Sequence, residues 1–301
     1  MHKSINCLYR KVVFTLLLPL GMAYGLAAAA VAQEAEVQAF SVKYANNVED
    51  DYFKRRDLYF IELLKLVVKF ADANIVMEPV PTGNQVESRI VLSVEQGVLD
   101  IHWLHTNEQL ETQLLPIRIP LYKGLIGWRL MLVRKEDENL LKGISSVEGL
   151  RQYPLLQGLD WPDTPILQAS GFNVESSTDF RNLFRMLRHE RADLFPRSII
   201  EIWGELDSLP SLNLTVDPFL TLHYPTAYYF FVAKDNKKLR DALELGLRRA
   251  IASGAFEQHF QSYFSEVIKK ANLGNRNLIS IKNPNLPPLT PLLQKDLWFA
   301  P

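Results

Sequence analysis

The chain has 301 residues, with 33 Lys and Arg against 34 Asp and Glu, 48% hydrophobic content and one cysteine. This balance excludes a disordered, collagen-like or low-complexity chain. A single cysteine excludes an internal disulfide or a cysteine-based metal cluster, and the length fits one large domain or two moderate ones.

Residues 1–11 carry His2, Lys3, Arg10 and Lys11 and no acid. Val12 to Ala32 is uncharged and ends in Ala30-Val31-Ala32, followed by the polar Gln33-Glu34. Basic, apolar, small and polar segments in that order are the layout of a cleaved secretory signal. Pro19, Gly21 and Gly25 weaken the alternative, an uncleaved membrane anchor. A signal peptide over 1–32 predicts a periplasmic protein. Cleavage removes Cys7 and three basic residues but no acid, leaving a thiol-free chain that is acidic on balance. With no long basic run, such a surface argues against nucleic acid as a partner.

The remainder alternates short β-like runs with helical stretches, which predicts an α/β architecture. Val37 to Ala45 reads as a strand, and Asp57 as the N-cap of an apolar helix reaching Ala71. Then come a strand at 74–78, a helix at 85–96 ending at Gly97, a strand at 100–104 and a longer strand at 125–135. A second set opens near Glu136. It has a short helix at 146–152, a strand at 153–157, a helix from Asp163, a helix at 179–189, a strand at 192–195 and a helix at 198–206. A strand at 228–234 leads back to the first set. In the helix 237–253, Leu239, Ala242, Leu243, Leu247, Ala250 and Ile251 fall on one face, and 255–271 continues helical. Residues 284–301 hold five of the 17 prolines together with Leu289, Leu292, Leu293, Leu297, Trp298 and Phe299. This reads as an extended strap lying on the fold.

Several motifs in this order carry a family resemblance. Gly97-Val98-Leu99-Asp100, an apolar strand and Thr106-Asn107-Glu108 resemble a G-x-x-D, strand, T-x-E-R segment. Pro120-Leu121-Tyr122 before the 125–135 strand resembles an F-S-x-P-Y crossover. Arg191-Ala192-Asp193-Leu194-Phe195 resembles a G-R-x-D-a strand, and Gly254-Ala255-Phe256 a closing i-x-x-G-x-(F/Y) segment. Together they resemble the family 3 extracellular solute-binding proteins, the type II periplasmic receptors of polar amino acid uptake, over about residues 37–265. The resemblance implies two α/β lobes joined by two crossover strands: lobe 1 from 33–135 and 231–275 and lobe 2 from 136–230, which leaves 276–301 as the proline-rich strap. It further implies a monomer that closes on a small polar ligand and delivers it to an inner-membrane permease of ABC type.

Two departures stand at the site this resemblance implies. Gln109 replaces the arginine that grips a ligand carboxylate, and Arg197 falls near the aspartate that holds an ammonium. Arg197 facing an ammonium would be repulsive by about 4 kcal/mol at about 4 Å. A guanidinium fork suits an anionic ligand better, so an anionic or amino-acid-like ligand is expected. An ion pair with Glu201, four residues on, is the other reading of Arg197.

The candidate ligand-binding residues are Trp103, His105, Thr106, Gln109, Arg118, Tyr122, Gly158, Trp161 and Arg197. Trp103 and His105 share one side of a strand end, where Trp103 either stacks on a ligand ring or packs in the core. Arg118 and Tyr122 flank the crossover. Gly158 and Trp161 lie in a strand-loop-helix junction resembling the family's lobe 2 glycine loop. Tyr52, Tyr59 and Phe60 fall at the expected mouth of lobe 1 and read first as core. His102 and His105 fall on opposite strand faces, so no metal site is expected, and no cofactor is implied. No G-x-S-x-G, G-x-G-x-x-G, P-loop or H-E-x-x-H is present. A dehydratase-like enzyme would have only Glu201 and Glu108 as candidate acids. A ligand-sensing module for a membrane signalling protein is the principal alternative to a transport receptor.

Overall fold

The computed structural model describes residues 38–46, 51–83 and 85–301. Residues 1–32, and with them the expected leader, lie outside the described residues, as does the Tyr52 side chain. Among the described residues, no helix is long and apolar enough to cross a membrane.

The first half alternates β1 (Gln38–Asn46), α1 (Asp51–Phe70), β2 (Ala73–Pro81), α2 (Glu87–Glu95), β3 (Ile101–His105), α3 (Glu108–Gln113) and β4 (Leu114–Ile117). The middle runs through β5 (Trp128–Arg134), α4 (Val147–Leu150), β6 (Leu155–Gly158), α5 (Asp163–Ala169), β7 (Val174–Ser177), α6 (Phe180–Arg188), β8 (Phe195–Ser198), α7 (Ile202–Asp207), β9 (Leu214–Val216) and β10 (Leu220–His223). The chain ends with β11 (Tyr228–Ala233), α8 (Lys237–Ala252), α9 (Ala255–Ala271), β12 (Asn277–Ser280) and the strap.

Two five-stranded sheets form two lobes. The first has the order β2-β1-β3-β11-β4, with β11 antiparallel to both neighbours. Its buried strand β11 serves both faces by period-2 alternation. Phe230 and Val232 pack in the cluster that holds Leu243 and Leu247 of α8, while Tyr229 and Phe231 join Ile90, Val91 and Val94 of α2. The second sheet has the order β12-β10-β5-β8, with β9 also paired to β5. The parallel pair β6-β7 attaches through a Leu155–Leu194 bridge. β11 belongs whole to the first sheet, whereas β12, beyond residue 275, belongs to the second.

Several elements differ from the sequence reading. Asp57 is not an N-cap, because α1 starts at Asp51. Its carboxylate instead accepts from Trp103 Nε1 at 3.2 Å, and burial raises its pKa against the lowering pull of Arg56. The strand expected at 192–195 is displaced to Phe195–Ser198, where Leu130 pairs with Arg197. Arg197 therefore lies inside a strand and does not open a helix; α7 starts at Ile202. β4 contains Pro116, which offers no N–H, and the sheet accommodates it by placing β4 at an edge.

The lobes are joined by two segments, 118–127 going out and 224–227 returning. They run side by side. Leu121 N donates to the Tyr228 carbonyl at 2.9 Å, and Tyr224 N to the Gly127 carbonyl at 3.2 Å. The strap lies across both. Asn283 Nδ2 donates to the Pro225 carbonyl at 3.0 Å, and Phe299 N donates to the Lys123 carbonyl at 2.7 Å. The Trp298 ring covers Gly124, which has φ 71° and where a β-carbon would collide with that ring.

Candidate functional site

Two cavities open between the lobes; His105 lines the wider and Tyr228 the narrower, and these two rings meet edge to face at 5.4 Å between centroids. The wider, about 620 Å³, is walled by the β3–α3 turn with Glu87 on lobe 1, by residues 159–162, Pro165 and Ile166 on lobe 2, and by Asn283–Asn285 of the strap. The narrower, about 230 Å³, has four aromatic rings of lobe 1 and Tyr122 of the outgoing crossover along one side and Ile200, Glu201 and Gly204 of lobe 2 among its other lining residues.

The β3–α3 turn is shaped locally. The Asn107 side chain caps α3 by accepting from Leu110 N at 2.7 Å. Thr106 Oγ1 donates to Glu111 Oε1 at 2.8 Å, and Arg118 pairs with the other oxygen of that carboxylate. Arg118 thus braces the turn from behind and lies outside both linings. His105 is buried and its Nε2 is hydrogen-bonded to the Thr226 hydroxyl. Burial lowers its pKa to about 4, outweighing the raising effect of Asp163, so the ring is neutral near pH 7.

The loop opposite is also built from packing. A β-carbon on Gly158 would collide with the Trp161 ring. Gly158 therefore seats Trp161 and does not itself line either cavity. Trp161 lines the wider cavity on one side and covers Arg197 on the other, 4.5 Å from guanidinium carbon to ring centroid.

Arg197 lies outside both linings and is 4% exposed. Its fork is taken by Glu205, with Nε to Oε2 at 2.7 Å, and Glu201 lies 3.2 Å away. The guanidinium expected to grip an anion is held within lobe 2 because two carboxylates of α7 and its cap neutralise it there. A second buried pair lies beside it. Arg129 of β5 meets Asp163 at 2.6 Å and Glu201 at 3.7 Å, and the Tyr224 hydroxyl also donates to Asp163. Burial pushes the Asp163 carboxyl up, but Arg129, His105 and the Tyr224 hydrogen bond outweigh it and hold the pKa below the ordinary value.

Of the nine sequence candidates, the wider cavity collects His105, Thr106, Gln109 and Trp161, and the narrower one Tyr122. Trp103 packs in the core on Phe60, with ring centroids 5.2 Å apart. Sequence reasoning missed Glu87, Asp160, Asn283 and Asn285 as wall residues of the wider cavity and Tyr228 as one of the narrower. The wider cavity carries Glu87, Glu108 and Asp160 and no Lys or Arg in its lining. Arg129, a cation set in the apolar run of β5, and the Arg197–Glu201 spacing were the sequence signals of the buried network. Among the described residues, no cluster of His, Cys, Asp or Glu is placed to hold a metal ion. Glu108 and Glu201, the candidate acids of an enzyme reading, line different cavities.

No family model matches the sequence. No curated protein matches it either. Its structure, however, is similar to many solved ones. An ancestral arginine-binding protein bound to arginine is 15% identical, with a TM-score of 0.52 over 74% of this chain and 98% of its own. The GluR0 ligand-binding core in complex with L-glutamate is 14% identical, with a TM-score of 0.55 over 74% and 98%. An amino acid ABC transporter substrate-binding protein, AbpA from Streptococcus pneumoniae bound to L-arginine, is 18% identical, with a TM-score of 0.50 over 70% and 84%. Two α/β lobes joined by paired crossovers, with this likeness, give the chain the type II periplasmic-binding-protein fold.

Proposed function

We propose that this protein is a periplasmic solute receptor that closes its two lobes on a small polar ligand and hands it to an inner-membrane permease of ABC type. The observation that carries this reading is the wider cavity, about 620 Å³, walled by both lobes beside their paired crossovers. A ligand that touches both walls favours the closed form by its differential affinity for it. The expectation of an anionic ligand rested on Arg197, whose fork is engaged by Glu205. With Glu87, Glu108 and Asp160 in the lining and no cation, a ligand bearing a positive group is the better electrostatic fit.

Thermal-shift screening of amino acids, amines, carboxylates and sugars, followed by small-angle scattering on any hit, tests the receptor. Stabilisation by a positively charged or zwitterionic solute with a smaller radius of gyration is expected. A screen in which no solute shifts the melting temperature would overturn the reading. A sensing role would use the same closure, read by a membrane signalling protein instead of a permease. The strap, which adds a segment anchored on both crossovers, is the feature that favours it.

A further inference from the structure

The chain beyond α9 does not stay with the lobe that carries α9. β12 joins the second sheet, pairing in parallel with β10 from Leu220 and Asn277 to His223 and Ser280, and Ile281 N donates to the His223 carbonyl at 2.9 Å. The segment then leaves lobe 2. Asn283 Nδ2 donates to the Pro225 carbonyl of the returning crossover, and Asn283, Pro284 and Asn285 wall the wider cavity. Further on, Thr290 is buried beside Tyr229 of β11. Trp298 packs against the lobe 1 cluster that holds Ala45, Leu104, Ala227 and Tyr229. Its Nε1 donates to the Pro291 carbonyl at 2.9 Å, which closes residues 291–298 into a loop docked on lobe 1. The strap is therefore anchored on lobe 2 at one end and on lobe 1 at the other.

The span between these anchors has little slack. Residues 283–291 include Pro284, Pro287, Pro288 and Pro291. Each proline ring fixes its own φ, and segments rich in proline behave as semi-rigid spacers instead of coils. Position gives the span a direction. When two lobes swing apart about paired crossovers, distances on the cavity side of the hinge lengthen and those behind it shorten. A segment that walls the cavity lies on the lengthening side. It draws taut as the lobes open and slackens as they close.

We propose that the strap is a third connection between the lobes, a tether that limits how far they open and holds the wider cavity near its binding width before a ligand arrives. Closure on a ligand then costs less, because the widest open states that compete with the closed form are removed. The inference goes beyond the receptor reading and needs no ligand for its test.

Double electron–electron resonance on the ligand-free protein tests the tether. Spin labels at Glu95→Cys on α2 and Gln168→Cys on α5 read the distance between the lobes, with Cys7→Ser removing the native thiol. Both label positions are exposed and lie outside the cavity linings. A Gly-Ser segment of about six residues, inserted between the exposed Pro288 and Leu289, lengthens the span and leaves both anchors in place. The label distance is expected to grow by about 5 Å or more, since a coil of that length spans about 13 Å. The same insertion between Leu292 and Leu293 falls inside the closed loop and is expected to leave the distance unchanged. Circular dichroism establishes that each variant is folded. If the first insertion does not fold, Pro284→Gly with Pro288→Gly replaces it; these two rings are exposed, and the change is expected to broaden the distribution towards longer distances. An unchanged or shorter distance after the first insertion, or equal lengthening after both insertions, would overturn the tether, as would an unbroadened distribution in the glycine variant that replaces it. The thermal screen decides the receptor reading separately: if a solute binds and the distance does not respond, the tether falls and the receptor stands.

Discussion

The backbone N–H of Tyr224 donates to the carbonyl of Gly127 at 3.2 Å, fastening the returning crossover to the outgoing one. The approach is so close that a β-carbon on Gly127 would overlap the Tyr224 carbonyl oxygen, and only glycine fits. Gly127→Ala must push the two segments apart at the junction of the lobes. Overpacking of this kind costs about 1–3 kcal/mol, and a loss of that size is expected in urea denaturation. An unchanged midpoint would show that the crossovers can separate freely.

The strap bears on the same junction. Deleting residues 281–301 removes Trp298 from Gly124, the Phe299 N–H from the Lys123 carbonyl, and Asn283 and Asn285 from the cavity wall. A lower melting temperature and weaker binding of any solute found by screening are both expected. Trp298→Ala separates the two effects, because Trp298 lies outside the cavity lining. It is expected to cost about 2 kcal/mol of stability and to leave affinity nearly unchanged, as read by paired denaturation and calorimetry.

Arg197 and Glu205 are buried together at 4% and 2% exposure. Removing one partner leaves the other buried beneath Trp161 without its principal ion pair. Glu205→Gln or Arg197→Met is therefore expected to destabilise by about 3–5 kcal/mol, and Arg197→Met with Glu205→Leu by clearly less. Chemical denaturation of the three variants checks this. Equal losses in single and double variants would show that the two charges are not coupled.

Stability should also depend on pH through His105. Its folded pKa, about 4, lies below the ordinary 6.5, so the unfolded chain takes up the proton first. Its penalty is absent above about pH 6.5, grows as pH falls towards about 4, and is constant below that. The slope is at most about 1.4 kcal/mol per pH unit for one group. His105→Asn is expected to flatten this part of the melting curve. Asp163, with its depressed pKa, acts in a lower window, where its stabilisation is lost as pH falls through the folded value.

Much of the layout was legible along the chain, since periodicity is a local property. The amphipathic spacing of Leu239, Leu243 and Leu247 marked α8, and the apolar run around Leu130 marked β5. The short strands β7, β9, β10 and β12 have too few residues to show a period, and tertiary pairing alone makes them strands.

The site was less legible. Order along the chain placed His105, Thr106 and Gln109 at a strand end and Trp161 in a loop, and these four do line one cavity. Residue type offered two readings of Arg197, a grip on an anionic ligand or an ion pair with Glu201, and the pair forms at 3.2 Å. The Arg197 charge is met as well by Glu205, eight residues away on the next helix, because β8 and α7 fold against each other. Local sequence therefore determined the alternation of elements and the identity of the charged groups. Which charges meet one another, and which are left to face the cleft, only the tertiary structure decided, because electrostatic partners are set by distance in space and by burial.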